Sequence, residues 1–317
     1  MGIRILKPGL LSTIQDMGRH GHQKCGMVVS GAMDILALKI GNLLLGNSPA
    51  EAALECTLSG PELIFERDQL IAITGGNLSP QIDGVPLTMW KPVYVRAGAK
   101  LSFGKALSGC RTYLSVYRGF DVSEVLGSKS TYLRAGIGGW NGRALKKDDI
   151  IPFKTSCQGQ HKFDWSAGKN LYPDLSNPRI RVIEGPEFGQ FTVESTADFL
   201  NGSYTVSNEA DRMGYRLNGK ALQQQVSKEM LSSAVTFGTI QVPAQGAPIV
   251  LMADHQTTGG YPRIAQVISA DLTLLAQMQP GREITFELIT LEQAQVLLLT
   301  QEQQLSQLRQ TLTLKYG

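Results

Sequence analysis

The sequence predicts a mainly β protein with a few helices, arranged as two β-rich domains arising from an internal duplication. Three observations predict it. Glycine supplies 34 of the 317 residues without a Gly-X-Y period; this excludes collagen and implies many turns and special backbone positions. Short β-branched and aromatic runs alternate with turn signals, the pattern of tightly joined strands. Two markers also recur in the same order: Gly60-Pro61-Glu62 returns as Gly185-Pro186-Glu187, and residues 96–103 return as 279–286. Both copies of the second marker run from a glycine turn into a strand that ends in Phe.

Taken in order, residues 3–14 read as a short strand and turn. Residues 15–22 are too polar for core and too rich in Gly for a helix. Asp34 is suited to cap the free N–H groups of a first helical turn. Leu36, Ile40, Leu43 and Leu44 follow at helical spacing, and Gly46-Asn47 stops the helix before Pro49. Strands are expected at 70–74, 92–95, 100–103 and 111–117, with a hairpin signal at Asp83-Gly84. In the last of these, residues 112, 114 and 116 form an apolar face and 113, 115 and 117 a mixed one. A glycine loop follows at 137–142. Residues 155–178 hold Gly, Pro and scattered charge without periodicity. This divides the chain into a first domain at 1–155, a linker at 156–178 and a second domain at 179–317. Strands are expected there at 179–184, 239–242, 248–253 and 283–289. An amphipathic helix closes the second domain over 291–313.

Charge and cysteine content narrow the function classes. The net charge of +3 comes with no clustered basic face, so nucleic-acid binding is disfavoured. The start lacks the apolar region of a signal peptide, and no apolar run is long enough to span a bilayer, so a cytoplasmic protein is expected. Four cysteines without a C-x-x-C read as reduced thiols. His20, His22 and Cys25 lack a convincing fourth ligand, so no metal is expected.

Four segments offer chemistry. In residues 251–262 a buried-type strand runs into a loop carrying Asp254, His255, Gln256, Thr258 and Tyr261, with Gly259-Gly260 bare of side chains. The loop suits a polar ligand held at a strand end; a self-capped hairpin is the plainer account. Arg212 and Arg216 flank a Gly and suit a forked grip on carboxylate or phosphate, or surface pairing with Glu209 and Asp211. Arg19, Ser30 and Asp34 stand in two further polar loops, Asp34 also as a plain cap. Asn77 ends a strand, as a ligand contact or a left-handed turn residue. There is no P-loop, no G-x-G-x-x-G after a strand, no H-E-x-x-H and no kinase signature.

These pieces together carry a resemblance: Thr13-Ile-Gln-Asp-Met-Gly-Arg19, Gly31-Ala-Met-Asp34, Glu51-Ala-Ala-Leu-Glu55, Ile73-Thr-Gly-Gly76 and Gly136-Ile-Gly-Gly139. Arg212-Met-Gly-Tyr-Arg-Leu217, Gly238-Thr-Ile-Gln-Val-Pro243 and Gln256-Thr-Thr-Gly-Gly-Tyr-Pro262 continue it. From about residue 3 to 290 the chain resembles the biotin-dependent carboxyltransferase family, also called allophanate hydrolase subunit 2. The wording is nearest to the branch found in bacterial 5-oxoprolinase. The resemblance implies two cyclophilin-like β-barrel domains. It implies partnership with the KipI-like B component and the A component of that enzyme, and ATP-coupled opening of 5-oxoproline to glutamate. From side-chain chemistry, Asp254 and Arg212 are the expected catalytic groups, Asp254 acting on the ring N–H. Arg19, Arg216, Asn77, Gln256, Thr258, Tyr261, Ser30 and Asp34 are the expected substrate contacts. The alternatives are a carboxyltransferase using carboxybiotin and a urea-like amide, with biotin as its cofactor, and a KipA-type regulator that binds a KipI-like partner.

Overall fold

The computed structural model describes residues 2–157, 165–176, 179–226 and 230–316. It is mainly β, with four α-helices. Contacts divide the chain into two compact units. The first comprises Met1–His20, Ser30–Pro173 and Gln303–Gly317; the second comprises Gly21–Val29 and Asp174–Glu302.

In the first unit, β1 (Gly2–Lys7), β2 (Leu11–Gln15), β3 (Ala53–Thr57), β4 (Glu62–Phe65) and β5 (Gln69–Asn77) are followed by six more strands. These are β6 (Pro80–Ile82), β7 (Val85–Pro86), β8 (Pro92–Val95), β9 (Lys100–Phe103), β10 (Ser108–Val116) and β11 (Ile150–Pro152). They form a six-stranded sheet, β11-β1-β4-β9-β6-β7, and a five-stranded sheet, β2-β3-β10-β5-β8. Asp83-Gly84, both at positive φ, join β6 to β7 as the hairpin signal predicts. Between the sheets lies an aliphatic core including Ile3, Ile5, Leu54, Ile73, Leu114 and Phe65.

The outer face of the five-stranded sheet is covered too, so β10 is buried on both sides rather than half-exposed. Its cover is helix α1 (Ile35–Leu44), capped by Asp34, which accepts from Ala37 N. The helix lies close to the sheet at Gly41. A Cβ there would stand 2.7 Å from Ser115 Oγ and 2.9 Å from Thr74 Oγ1, distances only a glycine tolerates. Thr74 Oγ1 also donates to the Ala37 carbonyl at 2.7 Å.

In the second unit, β12 (Arg179–Glu184), helix α2 (Val193–Asn201), β13 (Ser203–Val206), β14 (Gly214–Asn218), β15 (Ser233–Ala234) and β16 (Thr239–Gln241) come first. Then follow β17 (Ile249–Leu251), β18 (Thr258–Gly259), β19 (Arg263–Val267), helix α3 (Leu272–Ala276), β20 (Glu283–Leu288) and helix α4 (Leu291–Tyr316). Seven strands close into a barrel in the order β12-β19-β16-β17-β14-β13-β20. An odd ring cannot alternate direction all the way round, and β12 with β20 is the parallel pair that closes it. Closure leaves no sheet edge in the ring.

The unit boundaries differ from the sequence expectation, which places a linker at 156–178 and assigns 291–317 to the second domain. The described residues of the former up to Pro173 belong to the first unit: Ala167 N donates to Trp90 O at 2.8 Å, and Trp165, Leu171 and Tyr172 pack on its helix-side core. Residues 158–164 and 177–178 lie outside the described residues. The last part of α4 also joins the first unit, because Leu305, Leu308 and Leu312 pack in the cluster of Leu36, Ile40 and Leu44. Of the repeated markers, the second falls on strands in both units, β9 and β20. Gly60-Pro61-Glu62 opens β4, whereas Gly185-Pro186-Glu187 follows β12. Among the described residues no helix is long and apolar enough to cross a membrane.

Candidate functional site

The polar loop of the second unit follows β17. Met252 N donates to Met213 O at 2.9 Å and Asp254 N to Arg212 O at 2.7 Å, so the chain leaving the barrel runs along residues 212–213. This backbone pairing brings together two side chains 42 positions apart. Arg212 Nε lies 2.9 Å from Asp254 Oδ2, and Nη2 lies 3.0 Å from Oδ1. Both side chains are only 5% exposed. Two charge-assisted bonds in parallel satisfy both charges, which offsets the cost of taking them out of water.

His255 is next. Its N–H donates to Met252 O at 3.0 Å, closing a turn. Its Nδ1 lies 2.6 Å from Gln256 O. Burial lowers its pKa from the ordinary 6.5, against the opposing pull of that carbonyl and of Asp254. Gln256 and Thr258 are exposed, and Tyr261 is 49% exposed. Thr258 and Gly259 pair with Ala234 and Ser233 in a two-stranded ribbon. The bare backbone at Gly259 accommodates a side chain of this protein: a Cβ there would stand 2.5 Å from the Gln241 amide. Glu187 and Arg263 flank the loop exit as another bidentate pair, at 2.8 and 2.7 Å.

Arg216 stands apart from Arg212. It points outward from β14 and pairs with Glu209 at 3.3 Å, with the side chains 60% and 76% exposed. The forked grip expected of the two arginines is therefore not formed. Strand alternation places Tyr215 and Leu217 in the barrel and Arg216 outside.

Arg19, Ser30, Asp34 and Asn77 belong to the first unit. Arg19 is fully buried; its Nε donates to Val125 O at 3.1 Å and its Nη2 to Ser130 O at 2.5 Å. Ser30, at positive φ, donates to Thr131 O at 3.1 Å. Asn77 Oδ1 accepts from Ser79 N at 2.9 Å. Asp34 accepts from the Tyr172 hydroxyl as well as capping α1. Nearby, Asp16 accepts from Ser128 Oγ, Ser130 Oγ and Lys129 N at 2.7, 2.5 and 2.6 Å. Glu55 accepts from Tyr113 OH at 2.7 Å and Met33 N at 2.9 Å. The glycine loop 138–142 lines a cavity of about 250 Å³ with Asp121, Ser123 and Val125.

Arg263 and the partners that hold Glu187, Gln241, Asp16 and Glu55 escape a sequence reading. Signals exist for four of these residues: Glu187 recurs in a repeated marker, and Asp16, Glu55 and Gln241 lie in the motifs that carry the resemblance. Among the described residues no group of three His, Cys, Asp or Glu is placed to hold a metal.

The model of the carboxyltransferase domain, subdomains A and B, matches residues 25–288. The chain belongs to that family. It is 41% identical to the C component of 5-oxoprolinase from Escherichia coli (strain K12), covering 92% of this chain and 93% of the relative. It is 40% identical to the protein of that name from Haemophilus influenzae, covering 97% of each. Among solved structures it resembles the K. lactis urea amidolyase with a TM-score of 0.90 and 31% identity, spanning 97% of this chain but 20% of that one. It also resembles TTHA0988, with a TM-score of 0.79 and 31% identity over 90% of this chain and 55% of that one.

Proposed function

We propose that this chain is the C component of a multi-subunit, ATP-dependent 5-oxoprolinase, which opens 5-oxo-L-proline to L-glutamate in the cytoplasm together with the KipI-like B component and the A component. The observation that carries the reading is identity of 40–41% to two such C components over nearly the full length of each. A lactam amide is a poor electrophile. Phosphorylating its carbonyl oxygen with ATP makes the carbon open to water, after which the ring C–N bond breaks. The chain has no P-loop, so the nucleotide is assigned to the complex as a whole.

In this reading the polar loop of the second unit faces the lactam. The Arg212–Asp254 pair holds the loop in shape, and Gln256, Thr258 and Tyr261 offer exposed hydrogen-bonding groups around it. Arg216 offers an exposed guanidinium to an anionic group in exchange for Glu209. In the first unit, Arg19, Ser30, Asp34 and Asn77 act by shaping backbone, since the polar contacts described for each are to neighbouring loops and helix ends.

The test is to purify the chain with and without the two partners and assay ATP-dependent glutamate release from 5-oxoproline. Release by the full complex is expected; none from an intact complex overturns the reading. A second reading, a carboxyltransferase using carboxybiotin and a urea-like amide, is favoured by the likeness to urea amidolyase. It predicts incorporation of labelled bicarbonate in the presence of a biotin-bearing protein. A KipA-type regulator without catalysis predicts no turnover in either assay.

A further inference from the structure

We propose that His255, through Nε2, is the proton acceptor and donor for water addition and C–N cleavage at the activated lactam. The inference rests on the 5-oxoprolinase reading of the same loop.

The geometry decides the tautomer. Nδ1 sits 2.6 Å from the Gln256 carbonyl oxygen. A carbonyl only accepts, so Nδ1 carries the hydrogen and Nε2 of the neutral ring is left with a lone pair. Nε2 has no hydrogen-bond partner among the described residues, and it is not one of the polar atoms sealed from solvent. The residue as a whole is 8% exposed. A buried imidazole with one nitrogen locked to the backbone and the other open is the arrangement a general base needs.

The surroundings hold that state. The charged group acting on the ring is Asp254, whose carboxylate is engaged by Arg212 through two bonds. Asp254 still pulls toward an imidazolium, but it shares its charge with Arg212 and burial of the ring outweighs it. Burial favours the neutral ring. The backbone bonds Asp254 N to Arg212 O and His255 N to Met252 O fix the loop on both sides of the ring's attachment. Exposed Gln256, Thr258 and Tyr261 follow on the same loop.

The phosphorylated lactam is a cyclic imidate with a C=N bond. Water oxygen bonds to that carbon, its O–H bond breaks and the proton passes to Nε2. The C=N electron pair moves onto nitrogen, which takes the proton back from the imidazolium. The new hydroxyl then gives its proton to Nε2 and becomes a carbonyl as the C–N bond breaks. The leaving nitrogen receives that proton and departs as the free amine. The product is an acyl phosphate, which a second water converts to carboxylate and phosphate.

Two variants separate this role from a structural one. Asn places an N–H donor where Nδ1 stands, so His255→Asn keeps the bond to Gln256 O but has no base. In the three-component complex we expect kcat to fall about 100-fold or more, with the KM for 5-oxoproline changed far less. We expect added imidazole to restore part of the rate in His255→Gly. Turnover by His255→Asn within about threefold of wild type overturns the proposal and leaves the function standing. Absence of turnover in the wild-type complex overturns the function itself. If the variants do not assemble, diethyl pyrocarbonate on the wild-type complex decides: modification of His255 with loss of activity, prevented by 5-oxoproline, is expected. Modification without loss, or no modification at His255, refutes it.

Discussion

The two units show two ways of holding a buried carboxylate. In the first, Asp16 accepts from two serine hydroxyls and from the backbone N–H groups of Gly18 and Lys129. In the second, Asp254, Glu187 and Asp271 each take a bidentate arginine: Arg212, Arg263 and Arg181. Neutral donors leave the carboxylate's charge in place and hold it by dipoles; arginine cancels the charge and introduces one of its own. The first arrangement tolerates loss of one donor. The second leaves a charge at a buried site when one partner goes, which costs more.

The largest effect expected from this difference is Asp254→Ala. It removes the carboxylate that takes two bonds from the buried Arg212 guanidinium and lowers stability by about 3–5 kcal/mol, read as a fall in the urea midpoint. Replacing both partners, Asp254→Leu with Arg212→Met, recovers most of that loss; no recovery would mean the pair does more than satisfy itself. Tyr113→Phe in the first unit removes a donor to Glu55 and the acceptor for Asp34 N. A cost of about 1.5–3 kcal/mol is expected, and a value as large as that of Asp254→Ala would erase the contrast.

Acid pH probes the arginine-held carboxylates more gently. Hydrogen bonds from Arg263 hold the Glu187 carboxyl below the ordinary 4.5, with burial opposing. A carboxylate depressed on folding stabilises above its unfolded pKa and loses that stabilisation as pH falls through the folded one. Glu187→Gln is therefore expected to flatten the acid limb of stability below pH 4.5; an unchanged limb counts against the pair. The smallest effect belongs to the exposed Arg216–Glu209 pair. Arg216→Ala is expected to change stability by less than about 0.5 kcal/mol, with urea unfolding as the check.

Local signals carry much of the fold. The Asp34 cap, the spacing of Leu36, Ile40, Leu43 and Leu44, and the strands β9 and β12 are all readable from neighbours in sequence. β3 is not, because Ala-Leu-Glu-Cys-Thr holds helix formers and a buried Glu whose partner Tyr113 comes from another strand. β14 is hidden by its opening Gly and by the Arg at its outward position. At the site, Asp254 and Arg212 each stand out as polar residues beside strands, but their pairing depends on backbone contacts after β17 that no local pattern announces. His255 is visible as an imidazole in the loop; that its Nδ1 faces a carbonyl is a three-dimensional fact.

The contact at Gly41 bears on the order of folding. A ten-residue helix has little stability alone in water, and α1 rests on the hydroxyl-bearing backs of β5 and β10 through a gap with no room for a methyl group. Its landing surface exists only once those two strands have paired, up to 45 residues apart in register from Ile71 to Val116. Helix formation there is coupled to a non-local pairing, so α1 is expected to consolidate with or after the sheet beneath it.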